Sequence, residues 1–442
     1  MPSPRPRFGI SEAVDYVRAR SFPDDARDLT GLELEWLVLS GAGQPDDRAA
    51  HTDGGRPGEV RARTGEAVLP GEAMLPGEAV LPGEAVLPGG SALTIEPGGQ
   101  LELSSQPQSC LASLCAAVDE DVRALRGNVA DGGGVLLGMG LHPDKAARRR
   151  LSTPRYAAMA DFFAPDGPAG SIMMTSTASV QVNVGLGTGS DREARWRRAN
   201  VLGPVLAASF ANSPVAAGTP TGRASNRLAV WSAIDPTRTA SAWRRGQGTE
   251  SWPAYVLDAR VMLIRRTKAD FVAMRANLPL GRWLTEGHEL GYPTVDDLDY
   301  HLTTLFPPVR PKGWLELRFL DAVPTPWWKV AAAVAAGLLR HSEAGARAES
   351  AAAPFAQSWS VASGPALAHP GMQWAARECF AAASEAMADI GAGPEVADAV
   401  AEYVDRFVAR GRTPADDRLE AFARTGSTLL PEDADQLVGV AT

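Results

Sequence analysis

Gly31-Leu32-Glu33-Leu34-Glu35-Trp36-Leu37 alternates apolar and acidic residues with a period of two. In an extended strand, side chains two apart share a face, so Leu32, Leu34 and Trp36 turn one way while Glu33 and Glu35 turn the other. A strand that buries one face and gathers charge on the other suits an antiparallel sheet with a core on one side. The pattern recurs along the chain. In Leu93-Thr94-Ile95-Glu96 and Gln100-Leu101-Glu102-Leu103-Ser104, the linking Pro97-Gly98-Gly99 turn folds two acidic strand ends toward each other. Val180-Gln181-Val182-Asn183-Val184 and Leu315-Glu316-Leu317-Arg318-Phe319 set Gln181, Asn183, Glu316 and Arg318 apart from their aliphatic neighbours in the same way. Strands are therefore expected over residues 32–39, 92–96, 100–103, 180–184 and 314–319.

Helical stretches lie between and after these strands, over 110–126, 192–211, 325–340 and 372–410. Long helices mixed with strands that do not alternate with them indicate an α+β fold with a mainly antiparallel sheet, in preference to a doubly wound βαβ fold. No linker divides the 442 residues, so a single domain is expected over 1–442. The apolar run 330–339, bracketed by Lys329 and Arg340, is too short to span a membrane and reads as a buried Ala-rich helix. Residues 65–88 are four tandem hexapeptides of the form Gly-Glu-Ala-(Val/Met)-Leu-Pro. With Pro-Gly breaking every repeat, they read as a loop insertion over 41–91, and deletion of 71–88 is expected to leave the fold intact.

With 45% hydrophobic residues, 21% charged residues and a net charge of −9, the chain is neither disordered nor a basic nucleic-acid binder. Cys110, Cys115 and Cys379 include no CxxC pair, and the N-terminus carries no apolar targeting segment, so a cytoplasmic setting is expected. If the strands share one sheet, Glu33, Glu35, Glu96, Glu102 and Glu316 lie on one polar face with Gln181, Asn183 and Arg318. Carboxylates so close repel and take up protons unless cations neutralise them. Hard oxygen donors favour Mg²⁺ or Mn²⁺, and Mg²⁺ characteristically sits between carboxylates and substrate phosphates. A solvated sheet face explains any one Glu-x-Glu, but not the recurrence in several strands. Gly138-Met139-Gly140 resembles the start of a dinucleotide loop, yet His142-Pro143 follows where the motif should continue. No two of the six histidines stand at helical ligand spacing, which disfavours zinc, and His142 beside Asp144 fits either a functional pair or a loop hydrogen bond. Paired carboxylates also occur in glycosidases, but those enzymes need no surplus of glutamates interleaved with Arg and Gln.

Several ordered segments resemble the plant and proteobacterial type of glutamate-cysteine ligase, most closely the actinobacterial branch that supplies γ-glutamylcysteine for ergothioneine synthesis. They are Gly31 to Glu35, the run Leu93 to Ser104, Arg155-Tyr156 with Met159, Met173-Met174-Thr175 with Val180 to Asn183, Phe210 to Pro214, and Trp231 with Asp235-Pro236. The last is His301-Leu302-Thr303-Thr304-Leu305-Phe306-Pro307 through Arg310, Lys312, Glu316 and Arg318. The resemblance implies a glutamine-synthetase-like curved antiparallel sheet with helices on its convex side, binding ATP, Mg²⁺ and glutamate, with cysteine as acceptor. It places metal ligands at Glu33, Glu35, Glu96, Glu102, Gln181 and Glu316. Arg318 falls on an arginine that contacts the transferred phosphoryl group, and Lys312 lies with it on the nucleotide side. Arg227, Trp231 and Tyr255 fall in the glutamate-binding segment, where Trp231 fits a core aromatic as well as a pocket wall. Rival readings are the same fold with another amine acceptor, a guanidino-type kinase, or a non-catalytic ligand-binding relative.

Overall fold

The computed structural model describes residues 8–24, 27–40, 85–144, 149–267 and 269–434. Eight strands form its main sheet: β1 (Thr30–Ser40), β2 (Ala85–Val86), β3 (Ala92–Ile95), β4 (Leu101–Ser104), β5 (Gly134–Leu137), β6 (Ser179–Gly185), β7 (Val309–Pro311) and β8 (Trp314–Asp321). Their order is β7-β8-β6-β1-β4-β3-β2, with β5 also paired to β1. Each ladder in it is antiparallel. The α+β expectation and all five expected strands are borne out, each within two residues at its ends.

The alternating residues divide as their chemistry requires. Leu32, Leu34, Trp36, Leu103, Val180, Val182, Leu315 and Leu317 are buried in the main hydrophobic core. Against this face lie the helices Trp327–Arg340, which packs on β6, and Ser190–Ser209, which packs on β8. Every residue from Trp327 to Leu339 is buried, as an all-round apolar helix must be. The expected helical region over 372–410 holds two helices, Pro370–Glu385 and Pro394–Arg406. Gly391 takes a positive φ of 67° between them, and Pro394 starts the second helix at its first turn. No helix among the described residues is long and apolar enough to cross a membrane.

Most of the hexapeptide tract lies outside the described residues, but its end does not. Ala85 and Val86 pair with Leu93 and Ala92, Leu87 is buried, and the Gly89 N–H donates to Asp121 at 2.5 Å. The chain therefore re-enters the sheet inside the fourth repeat, ahead of residue 91. Deletion of 71–82, two whole repeats, should leave the melting temperature unchanged. Extending the deletion to 88 removes Leu87, whose burial contributes about 2 kcal/mol, and should lower the melting temperature by roughly 2 °C. Thermal melts of the two deletion variants check this; equal melting temperatures would show that residues 85–87 contribute nothing.

Candidate active site

Strand register brings the acidic residues together. Glu33 stands opposite Gln181, Glu35 opposite Glu102, and Glu102 also opposite Thr94. The turn between β3 and β4 is closed by the Glu96 N–H donating to the Gln100 carbonyl at 2.8 Å and the Gly99 N–H donating to the Glu96 carbonyl at 2.8 Å. Gly99 adopts φ 90°, and a Cβ on Gly98 would lie 2.1 Å from the Thr175 carbonyl oxygen, so both glycines are required. The Gln100 amide then ties the turn to the Thr177 carbonyl at 2.9 Å.

Crowding on this face shows in its protonation. Burial, followed by the charges of Glu96, Glu33 and Glu35, pushes the Glu102 carboxyl well above the usual carboxylate range. Burial and Glu316 raise Glu33, against the pull of Lys312, Arg318 and a hydrogen bond from Asn183. Burial also raises Glu35, partly offset by Arg227 and Arg318. Such a face suits a divalent cation, which would return these carboxylates to their charged form. No three His, Cys, Asp or Glu side chains among the described residues are already gathered into a metal cluster. That is compatible with Mg²⁺, which keeps several waters and seldom uses an all-protein cage.

Glu316, expected among the metal ligands, is held differently. It is fully buried, and its two oxygens accept four N–H bonds: from Arg310 at 2.6 and 3.1 Å, Lys312 at 3.2 Å and Arg318 at 3.0 Å. Burial opposes its ionisation, but Arg310, Lys312 and Arg318 outweigh burial and hold its carboxyl well below the usual range. Two charged donors on each oxygen make it an anchor for three cations. Gln181 joins this cluster to the acids, accepting from Arg318 at 2.7 Å and donating to Glu35 at 3.0 Å.

Arg318 also borders a cavity of about 250 Å³ walled by Arg227, Trp231, Phe306, Phe319 and Trp359. The guanidinium groups of Arg227 and Arg318 lie 5.7 and 5.9 Å from the Trp231 ring centre. Around this cavity, Arg227 Nη1, Arg318 Nε, Trp231 Nε1 and Trp359 Nε1 are buried without a hydrogen-bond partner among the described residues. Buried donors are normally satisfied, so four unpaired buried donors point to a ligand rich in acceptor oxygens. Arg227 and Trp231 are thus brought together with Arg318 as expected. Trp359 was not foreseen; it comes from the helix Trp359–Ser363, beyond the motif-bearing part of the sequence.

Residues 29–433 match glutamate-cysteine ligase family 2 (GCS2). The chain belongs to this family. Among its relatives is the glutamate–cysteine ligase EgtA of Mycolicibacterium smegmatis, 38% identical over 334 residues, which are 74% of this chain and 77% of that protein. Glutamate–cysteine ligase B, chloroplastic, of Oryza sativa subsp. japonica is 33% identical over 262 residues, 57% of this chain and 52% of that protein. The crystal structure of glutamate–cysteine ligase from Francisella tularensis in complex with AMP superposes with a TM-score of 0.54 at 14% identity. It covers 95% of this chain and 89% of that one, and at such low identity it shows a shared fold alone.

For this glutamate-cysteine ligase, other sequence-level candidates fall into place. Tyr255 does not line the cavity: on the helix Ser251–Asp258 it is buried in the main hydrophobic core, stacked on Trp252 at 5.6 Å. Burial pushes its phenol up, and the hydroxyl has no hydrogen-bond partner among the described residues. Tyr255→Phe should therefore leave every KM unchanged and raise stability by about 1 kcal/mol, since an unsatisfied buried hydroxyl is removed. Denaturant melts and initial rates check this; a raised glutamate KM would return Tyr255 to the substrate site. His142 Nδ1 accepts the Asp144 N–H at 3.3 Å, the loop bond of the two readings. Gly138 and Gly140 serve close packing, because a Cβ on either would lie 2.3 Å from the Val323 carbonyl oxygen or 2.4 Å from Asp321 Cγ.

Proposed function

We propose that the protein joins the γ-carboxylate of glutamate to the amine of cysteine at the expense of ATP, through γ-glutamyl phosphate, giving γ-glutamylcysteine for ergothioneine synthesis. The observation that carries this reading is the position of Arg318. It stands between the carboxylate face, suited to a cation and phosphates, and the cavity with its four unpaired buried donors, suited to an amino-acid carboxylate. The sheet with its acidic face is read as the glutamine-synthetase-like catalytic frame.

Glu33, Glu35, Glu96, Glu102 and the Gln181 carbonyl would hold Mg²⁺, with Mn²⁺ as the alternative. The bound cation supplies neutralisation of the triphosphate charge. Arg227, over Trp231, holds a substrate carboxylate and turns the γ-carboxylate toward Arg318. In the first step a γ-carboxylate oxygen attacks the terminal phosphorus of ATP and ADP leaves. Charge then spreads over the phosphoryl oxygens, and the fixed guanidinium of Arg318 stabilises it, with Lys312 on the nucleotide side. Glu316 keeps these cations aimed, so no reorganisation is required as charge develops. In the second step the cysteine nitrogen attacks the acyl carbon, the C–O bond to phosphate breaks, and the nitrogen loses a proton.

ADP release measured with each amino acid omitted in turn tests the proposal. Turnover should require both glutamate and cysteine. Turnover with glutamate and a different amine would give the enzyme another acceptor, phosphorylation of a guanidino compound alone would make it a kinase, and no turnover at all would make it a binding protein.

A further inference from the structure

Behind Arg227 lies a buried network that the chemistry above does not use. Its hub is Asp321, at the end of β8, three residues beyond Arg318 and 1% exposed. One carboxylate oxygen accepts the backbone N–H of Asn212 at 2.9 Å and the Ser213 hydroxyl at 2.7 Å. The other accepts the Ser225 hydroxyl at 2.9 Å and lies 3.9 Å from Arg227 Nη1.

A hydroxyl has one proton and two lone pairs. Because Asp321 takes the proton of each serine, their lone pairs are left to face N–H groups at the start of the helix Asn226–Ser232. Ser213 accepts the Arg227 N–H at 3.2 Å, and Ser225, the N-cap, accepts the Leu228 N–H at 3.1 Å. The carboxylate thereby fixes where the helix bearing Arg227 and Trp231 begins. It also balances the Arg227 charge without a direct hydrogen bond to Nη1. From the other side, Arg227 Nη2 donates to the Arg318 carbonyl at 2.8 Å, which locks the two guanidinium-bearing elements together. Gly140 leaves the room Asp321 occupies.

We propose that Asp321 is a positioning residue for the amino-acid site, holding Arg227 aimed so that Nη1 is left for a carboxylate of the substrate. The proposal rests on the glutamate-ligase reading, and the parent enzyme separates the two. Parent enzyme that neither binds glutamate by calorimetry nor releases ADP in response to it removes both. Given an active parent, Asp321→Asn keeps the shape and loses the charge facing Arg227. The glutamate KM should rise at least tenfold while the KM values for ATP and cysteine stay within twofold, and calorimetry should show the same selective loss. Should that variant fail to fold, Ser213→Ala decides, with a smaller rise of about threefold confined to glutamate. A purely structural role moves stability and spares this selectivity. Unchanged glutamate KM in a folded variant, or an equal rise for all three substrates, overturns the proposal.

Discussion

Glu102→Gln and Glu35→Gln should each fold normally and lower kcat by roughly 10² to 10³, the loss typical when one electrostatic stabiliser is removed. Both side chains keep their shape, so the argument turns on charge alone. Glu102 faces Glu35 across the β1–β4 ladder, and burial together with its acidic neighbours already raises its carboxyl. An amide at 102 relieves that repulsion. The melting temperature of Glu102→Gln should therefore be no lower than that of the parent while activity falls, which separates a functional charge from a structural one. Raising Mg²⁺ should recover part of the rate, because a weakened site is refilled by mass action. Steady-state rates across a Mg²⁺ titration, with thermal melts alongside, measure both effects. Full activity of both variants at ordinary Mg²⁺ would remove the acidic face from catalysis.

The residues of this face were legible because strand periodicity is a local property. Once Leu32, Leu34 and Trp36 must be buried, Glu33 and Glu35 have no choice of side, and the same holds for Glu102, Gln181 and Glu316. Which partner each would take was not legible. Glu316 and Glu102 follow the same pattern in sequence, yet Glu316 ends among Arg310, Lys312 and Arg318 while Glu102 ends among acids. The difference comes from the sheet order, which sets β8 beside β7 and its arginine at one side and β4 beside β1 at the other. Strand order is a long-range outcome that no single segment encodes. Tyr255 shows the same limit: its helix carries no mark telling a pocket aromatic from a core one, and only stacking on Trp252 decides it. Trp359 escaped for the reverse reason. It sits in a five-residue helix with no periodicity of its own, and reaches the cavity because Gly203 leaves room for its ring, a Cβ there lying 2.9 Å from it.

Arg318→Lys should cost as much as the loss of a metal-face carboxylate, again roughly 10² to 10³ in kcat, although the charge is kept. The guanidinium is planar and already committed on one edge: Nη1 donates both to Gln181 at 2.7 Å and to Glu316 at 3.0 Å. Those bonds orient the group and leave Nε, buried and unpaired, at the junction with the cavity. An ammonium on a flexible stem can reach Glu316 or a phosphoryl oxygen, but cannot hold one while presenting a fixed donor to the other. The deficit should therefore concentrate in the phosphoryl step. An amino-acid sulfoximine gives a second readout, since its tetrahedral sulfur imitates the attack of amine on the acyl phosphate and gains affinity as a transition-state analogue does. The parent enzyme should phosphorylate such a compound with ATP and retain it through gel filtration, whereas Arg318→Lys should trap it far more slowly, with a glutamate KM changed by only a few-fold. Equal trapping by parent and variant would move phosphoryl stabilisation from Arg318 to Arg310 and Lys312, the other two cations anchored on Glu316.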